Sequence, residues 1–354
     1  MTEPTRLQRP SWLPGYLPEF DGLRGLAIVA VVLFHCHPRL VGTWIHGIVL
    51  WGWSGVTMFF FLSGFLITGN LLAARDQEKY FHNFHARRAL RIWPLYILLL
   101  IVVYLNSDWF IGPHIWEAVK TAPWLCYIFF VQNLFPIVLP PAIGPTWALA
   151  IEEQYYFFWA PAVRWLRKPW MLGTLLTAAL VAAPVVRRLH PHWITPTHTL
   201  IHLDGLALGS LLALGFYTLG WARRTWLALG VISFVAGIAA AATIAGGTAY
   251  LDCALAFGYG GIVLALATST GAQTPIHWIL RRGPLAYWGK VSYGLYLSHI
   301  AVFIYFGWFD LRMTPYGIPG NVAIVCFRLL MATLVATALW YGVEKRILKL
   351  KKHF

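Results

Sequence analysis

The chain has 354 residues, of which 59% are hydrophobic and only 11% charged, and it carries a net charge of +14. Soluble domains carry about 25% charged residues, so this composition excludes an ordinary soluble enzyme. The 19 Trp, 16 Tyr and 22 Phe, and the apolar runs near 20 residues that follow one another along the sequence, point to a membrane protein. In hydrocarbon only helices and closed barrels satisfy their backbone groups. The short alternating segments of a barrel are absent, and the expected fold class is all-α and polytopic.

Residues 1–19 show no compact apolar core and no small-residue cleavage site. They are expected to form a cytoplasmic tail, with the first span acting as an uncleaved signal. Ten spans follow at roughly 21–38, 48–71, 89–106, 146–164, 171–187, 200–219, 226–244, 248–268, 290–308 and 321–343. One further apolar run, 122–141, contains Gln132, Asn133 and several prolines, as a short, broken or re-entrant segment does. Most Lys and Arg fall in clusters at 75–91, 164–168, 223–224, 281–290 and 345–352, all on one side if the chain crosses ten times and 122–141 does not. By the positive-inside rule that side is cytoplasmic and both termini lie there. The basic excess then orients the chain and meets anionic headgroups rather than nucleic acid. Residues 20–343 read as one transmembrane domain and 344–354 as a basic cytoplasmic tail. Cys36, Cys126, Cys253 and Cys326 are scattered through apolar segments without metal or disulfide spacing, and no metal site is expected.

The first span carries Asp21, Arg24 and His35. Arg24 and His35 are eleven residues apart, close to three turns, so they share a face roughly 16 Å apart along the axis. Taken singly, a snorkelling Arg and a structural His explain them; together they mark a functional path. In the second span Ser63 and Gly64 sit in FFFLSGFLI. Close helix packing is the simple reading of these small residues, and a serine nucleophile the alternative. Arg87, Arg88 and Arg91 open the third span at i, i+1 and i+4. Orientation alone accounts for some of this charge, and a guanidinium clamp for phosphates accounts for all of it. Glu152 and Glu153 stand inside an aromatic span. One of them is expected to face a polar cavity, or to pair with Arg24 or Arg328, or to orient a histidine. Asp204 lies at the start of LDGLALGSLLAL. Tyr293, Tyr296 and His299 recur every three residues, the tyrosines reading as core and His299 as core or cavity.

These segments resemble the acyltransferase-3 family of integral-membrane acyltransferases over almost the whole chain. FDGLRGLAIVAVVLFH is similar to its first-span Arg and His element, FFFLSGFLI to its Phe-Phe-x-x-Ser-Gly pattern, and RRALRIWPLY to its Arg-rich third span. TWALAIEEQYY is similar to its Trp-Ser-Leu-x-x-Glu-x-x-x-Tyr element, with Glu152 and Tyr156 in register, and YGLYLSH to its Tyr-Leu-x-His element. Two positions depart: Ala148 replaces the Ser after the Trp, and His202 stands where the family often has an Arg two residues before the Asp.

The resemblance implies transfer of an acyl group, acetyl foremost, from cytoplasmic acyl-CoA to a hydroxyl of a carbohydrate or glycosylated acceptor, in a bacterial cytoplasmic membrane. A separate soluble partner is expected where one is needed. Arg24, Arg87, Arg88 and Arg91 would bind the phosphates, with Ser63 and Gly64 along the pantetheine path. His35 would be general base or acyl carrier, with Glu152 stabilising its imidazolium. The alternative is a transporter moving a small polar substrate through the same Arg, His and Glu-lined path. A sensor or structural protein is the third reading, and it leaves those residues without purpose.

Overall fold

The computed structural model describes residues 15–110, 124–135, 139–189, 194–243 and 248–354. Arg6 and Arg9 of the tail, and Lys120, His190 and His192, lie outside the described residues. No strand occurs among the described residues. Ten helices of 14 to 26 residues occupy the ten apolar stretches: α1 (Pro18–Phe34), α2 (Gly55–Ala74), α3 (Tyr80–Leu105), α4 (Thr146–Trp165), α5 (Pro169–Leu189), α6 (Leu203–Thr218), α7 (Arg223–Thr243), α8 (Leu251–Thr268), α9 (Ser292–Tyr305) and α10 (Gly317–Leu339).

Six of the described helices are long and apolar enough to cross a membrane, those built on α2, α3, α5, α7, α8 and α10. The other four are α1, α4, α6 and α9. Three of these are short: at about 1.5 Å per residue, the 14 residues of α9 rise roughly 21 Å against a hydrocarbon core of about 30 Å. The fourth, α4, has 20 residues but carries Glu152, Glu153 and Arg164. These four helices carry Asp21, Arg24, Glu152, Glu153, Asp204 and His299, whereas Ser63 lies on α2 and Arg87, Arg88 and Arg91 on α3. In 122–141 the described residues hold only a five-residue helix, Trp124–Ile128, followed by turns in which Phe130 has φ 53°.

The chain divides into two compact units. The first comprises 1–20, 57–80 and 151–281 and contains most of α2 and α4 with all of α5 to α8. Its α2 and α6 pack at backbone distance: a Cβ on Gly64 would collide with the Leu206 carbonyl, and one on Gly209 with the Phe61 carbonyl. Polar groups then stitch α4 to the same pair. The Tyr155 hydroxyl lies 2.7 Å from Ser210 Oγ, Ser210 Oγ donates to the Gly64 carbonyl, and Trp159 Nε1 donates to Thr68 Oγ1 at 2.8 Å. On α4, Tyr155, Tyr156 and Trp159 are buried while Phe157 and Phe158 are exposed. The helix turns its polar aromatics inward and its apolar ones outward, as a lipid-facing surface demands.

The second unit comprises 21–56, 81–150 and 282–354, and holds α3, α9, α10 and most of α1. Its apolar core joins Leu95, Tyr96 and Leu99 of α3, Tyr127 and Phe130, Ile143, and Leu297 and Ala301 of α9. Hydroxyls fix α9 within it: Tyr293 donates to the Ile92 carbonyl at 2.6 Å and Tyr296 to the Pro145 carbonyl at 3.0 Å. The tyrosines read as core from sequence are half-buried, with hydrogen-bonded hydroxyls.

The α2–α6 contact leaves no room for a methyl group. Gly64→Ala is expected to destabilise the solubilised protein by about 1–3 kcal/mol. Gly69→Ala, whose Cβ would meet only the Tyr217 ring at 3.7 Å, is expected to be neutral or better. Thermal unfolding of the two variants measures the difference.

Candidate functional site

In the second unit the residues of α1 and α9 converge on two imidazoles. The His35 amide still donates to the Val31 carbonyl at 3.1 Å, so the α1 register runs through His35 and keeps it on the Arg24 face. His35 is exposed, whereas His299 is fully buried. Their ring centroids are 4.9 Å apart, and His299 Nε2 lies 3.3 Å from His35 Nδ1. His299 Nδ1 lies 2.7 Å from the Tyr296 carbonyl and His35 Nδ1 2.9 Å from the Val31 carbonyl.

A carbonyl oxygen only accepts, so both Nδ1 atoms carry hydrogen. His299 Nε2 is then a lone-pair acceptor, and His35 Nδ1–H is shared between it and Val31. With Nδ1 protonated, the neutral His35 ring has its lone pair on Nε2, on the exposed side chain. That is the protonation pattern of a general base.

Arg24 lies three turns toward the other end of α1, its Nη1 3.1 Å from Asp21 Oδ1. Backbone contact places this pair: a Cβ on Gly25 would collide with the Leu285 carbonyl, and one on Gly289 with the Asp21 carbonyl. Arg87, Arg88 and Arg91 occupy the first turns of α3 in the same unit. At the far end of α1, Arg39 Nη2 lies 3.3 Å from Asp310 Oδ2, and Arg328 donates to the same oxygen.

Ser63, Gly64, Glu152, Glu153, Tyr156 and Asp204 belong to the first unit. Ser63 Oγ donates to Glu152 Oε1 at 2.5 Å. The sequence offered no base beside Ser63; folding brings a carboxylate to it from 89 positions away. Gly64 serves helix packing, as the Leu206 contact shows. Asp204 is 2% exposed and pairs with Arg187 at 2.5 Å; Arg187 also reaches Asp252 at 3.4 Å and donates to the carbonyls of Ala249 and Ile201. Thr57 Oγ1 donates to Asp252 at 3.0 Å. The cation that His202 does not supply thus comes from α5, through Arg187.

Sequence reasoning missed Arg187, and it missed Asp252, Asp310 and Glu344. All three acids interrupt or border apolar runs in a chain with only 13 acidic residues, and that signal was available. Among the described residues no three His, Cys, Asp or Glu side chains gather as a metal site would require.

The acyltransferase-3 family model, an acyltransferase domain, matches residues 17–341. A peptidoglycan O-acetyltransferase, OatA, from Listeria monocytogenes is 29% identical, the match covering 81% of this chain and 49% of that protein. An O-acetyltransferase, also OatA, from Staphylococcus aureus is 27% identical, covering 95% of this chain and 58% of the relative. The chain spans about half the length of these curated relatives. No solved structure matches it.

Arg187 pairs with the buried Asp204 and the half-buried Asp252 at once. Arg187→Met is expected to cost about 3–5 kcal/mol, the cost of leaving buried charge uncompensated. The exposed neighbour Arg188→Met is expected to stay within about 0.5 kcal/mol of wild type. Unfolding of the detergent-solubilised variants gives both values.

Proposed function

The chain belongs to the acyltransferase-3 family, and from that premise we propose that it is an integral-membrane O-acyltransferase. It would move an acetyl group from cytoplasmic acetyl-CoA to a carbohydrate hydroxyl, in a bacterial cytoplasmic membrane. The observation that carries the reading is the His35–His299 pair, with Nδ1 of His35 anchored and Nε2 available. The names of the relatives support O-acetyl transfer, and the Listeria name makes a peptidoglycan-type glycan the first acceptor to try.

In this reading Arg24, Arg87, Arg88 and Arg91 hold the phosphates of the donor, since guanidinium forks match phosphate oxygens. All four belong to the unit that contains His35. The roughly 16 Å of α1 between Arg24 and His35 is of the order of an extended pantetheine arm. His35 Nε2 removes the proton of the acceptor hydroxyl as its oxygen bonds to the thioester carbonyl carbon. The C–S bond then breaks, and the thiolate takes the proton back from the imidazolium. The same lone pair serves if the acetyl group rests first on His35 and passes from there to the hydroxyl. Glu152 accepts a hydrogen bond from Ser63 within the other unit. His299 is a positioning residue, setting which nitrogen of His35 is free. A separate soluble partner belongs to the proposal where the acceptor requires delivery.

Proteoliposomes loaded with labelled acetyl-CoA and given a peptidoglycan fragment test this. Wild type should acetylate the fragment, and His35→Ala should fall to background. His299→Leu should lower kcat by about 10²-fold or more, the scale of general-base catalysis, with KM for acetyl-CoA unchanged. His299→Gln, whose carbonyl can accept from His35 Nδ1–H, should recover much of the rate. Normal activity in His35→Ala overturns the catalytic role. Passage of intact labelled substrate without transfer favours the transporter.

A further inference from the structure

Beyond α10 the chain does not leave the protein. Trp340–Glu344 forms a π-helical turn, and helical turns at Lys345–Leu348 and Lys349–His353 follow. The i→i+5 turn inserts an extra residue and re-aims what comes after it, a device frequent at functional sites. What comes after lies along the arginine face of α3. Arg87 Nη2 donates to the Phe354 backbone oxygen at 2.6 Å, and the Phe354 ring lies 5.3 Å from the His82 ring, so the far end of the segment is pinned to the first turns of α3. Between the two fixed ends, the Lys351 amine lies within electrostatic reach of Arg91, Arg88 and Arg87, with Glu344 opposing them.

Glu344 is 5% exposed, its Oε1 lacks a hydrogen-bond partner, and the residue interacts with both Arg91 and Lys351. Arg91 and Lys351 therefore face one buried carboxylate, with Arg87 and Arg88 in reach of the same lysine. Like charges gathered this closely repel one another, and a ligand carrying several negative charges would relieve that repulsion. Arginine forks grip phosphate oxygens in pairs and lysine adds a point charge.

We propose that residues 345–354 and the arginine face of α3 form one polyanion site, with Lys351 as its fourth cation, and that its ligand is the phosphate-bearing nucleotide end of a coenzyme A donor. The ligand's identity rests on the enzyme reading above; the site itself rests on the folded-back segment. A phosphate on a lipid headgroup offers similar chemistry, and the two sources separate by experiment.

The test uses the full chain in neutral detergent, with binding of labelled acetyl-CoA and competition by adenosine 3′,5′-bisphosphate, adenosine or phosphatidylglycerol. Adenosine 3′,5′-bisphosphate should displace the label, and adenosine should not. Lys351→Gln should weaken binding about tenfold, the scale of one charge-assisted hydrogen bond. It should raise KM by the same factor with kcat kept. Lys351→Arg should restore affinity, and Lys349→Gln, an exposed neighbour, should stay within twofold of wild type at an unchanged unfolding temperature. Wild-type affinity in Lys351→Gln overturns the proposal, as does displacement by phosphatidylglycerol but not by the bisphosphate. If the bisphosphate binds in a Lys351-dependent way but no acetyl transfer occurs, the site stands and the enzyme reading falls. If neither nucleotide binds, the proposal falls on its own.

Discussion

An ionic side chain among apolar helices has to be met by an opposite charge or by several hydrogen bonds, because burying it alone costs more than a helix contact returns. That requirement organises this protein. Arg187 is met by Asp204, Asp252 and two carbonyls; Asp310 is held between Arg39 and Arg328; Glu19, 1% exposed, takes Arg281 at 2.6 Å. Each of these sets lies inside one compact unit and joins segments remote in sequence, α5 to α6 and α8 in the first case. The charges act as locators, fixing which helix face meets which.

Around the charges the helices approach as closely as backbone permits. At α2 and α6, glycine places carbonyl against Cα, where no side chain fits. Water is not available to drive such helices together, so close van der Waals contact and interhelical hydrogen bonds do so. The Tyr155–Ser210 and Trp159–Thr68 bonds are of this kind. Glu152, which accepts from Ser63, lies on the α4 face that carries Tyr155, Tyr156 and Trp159, while Phe157 and Phe158 look outward.

Much of this was legible in the sequence. All ten apolar stretches contain helices, because hydropathy reports burial and every backbone group in such a segment is satisfied locally. The face shared by Arg24 and His35 followed from helical pitch alone, and His299 was a candidate before its partner was known. What was not legible was which distant residue answers which. Glu152 was expected to face a cavity, to pair with an arginine or to orient a histidine, and Ser63 donates a hydrogen bond to it. His202 suggested a missing cation, and Arg187 supplies it from another helix. Periodicity describes one helix at a time, whereas these pairings depend on how two helices cross, and nothing in either sequence alone encodes that. The π-helical turn at Trp340–Glu344 was equally hidden, since one extra residue in a turn leaves the hydropathy pattern almost unchanged.

The anchoring of His35 through Nδ1 has a kinetic meaning. When such a ring takes up a proton, the new hydrogen goes to Nε2, while Nδ1–H goes on donating to Val31 and His299 as before. No hydrogen bond breaks, no tautomer changes and no side chain turns. The neutral and cationic forms share one geometry, so the reorganisation that usually accompanies a change of charge is small at this ring. The polar frame is already in place before the proton moves, and that is the condition under which fixed dipoles lower a barrier most effectively.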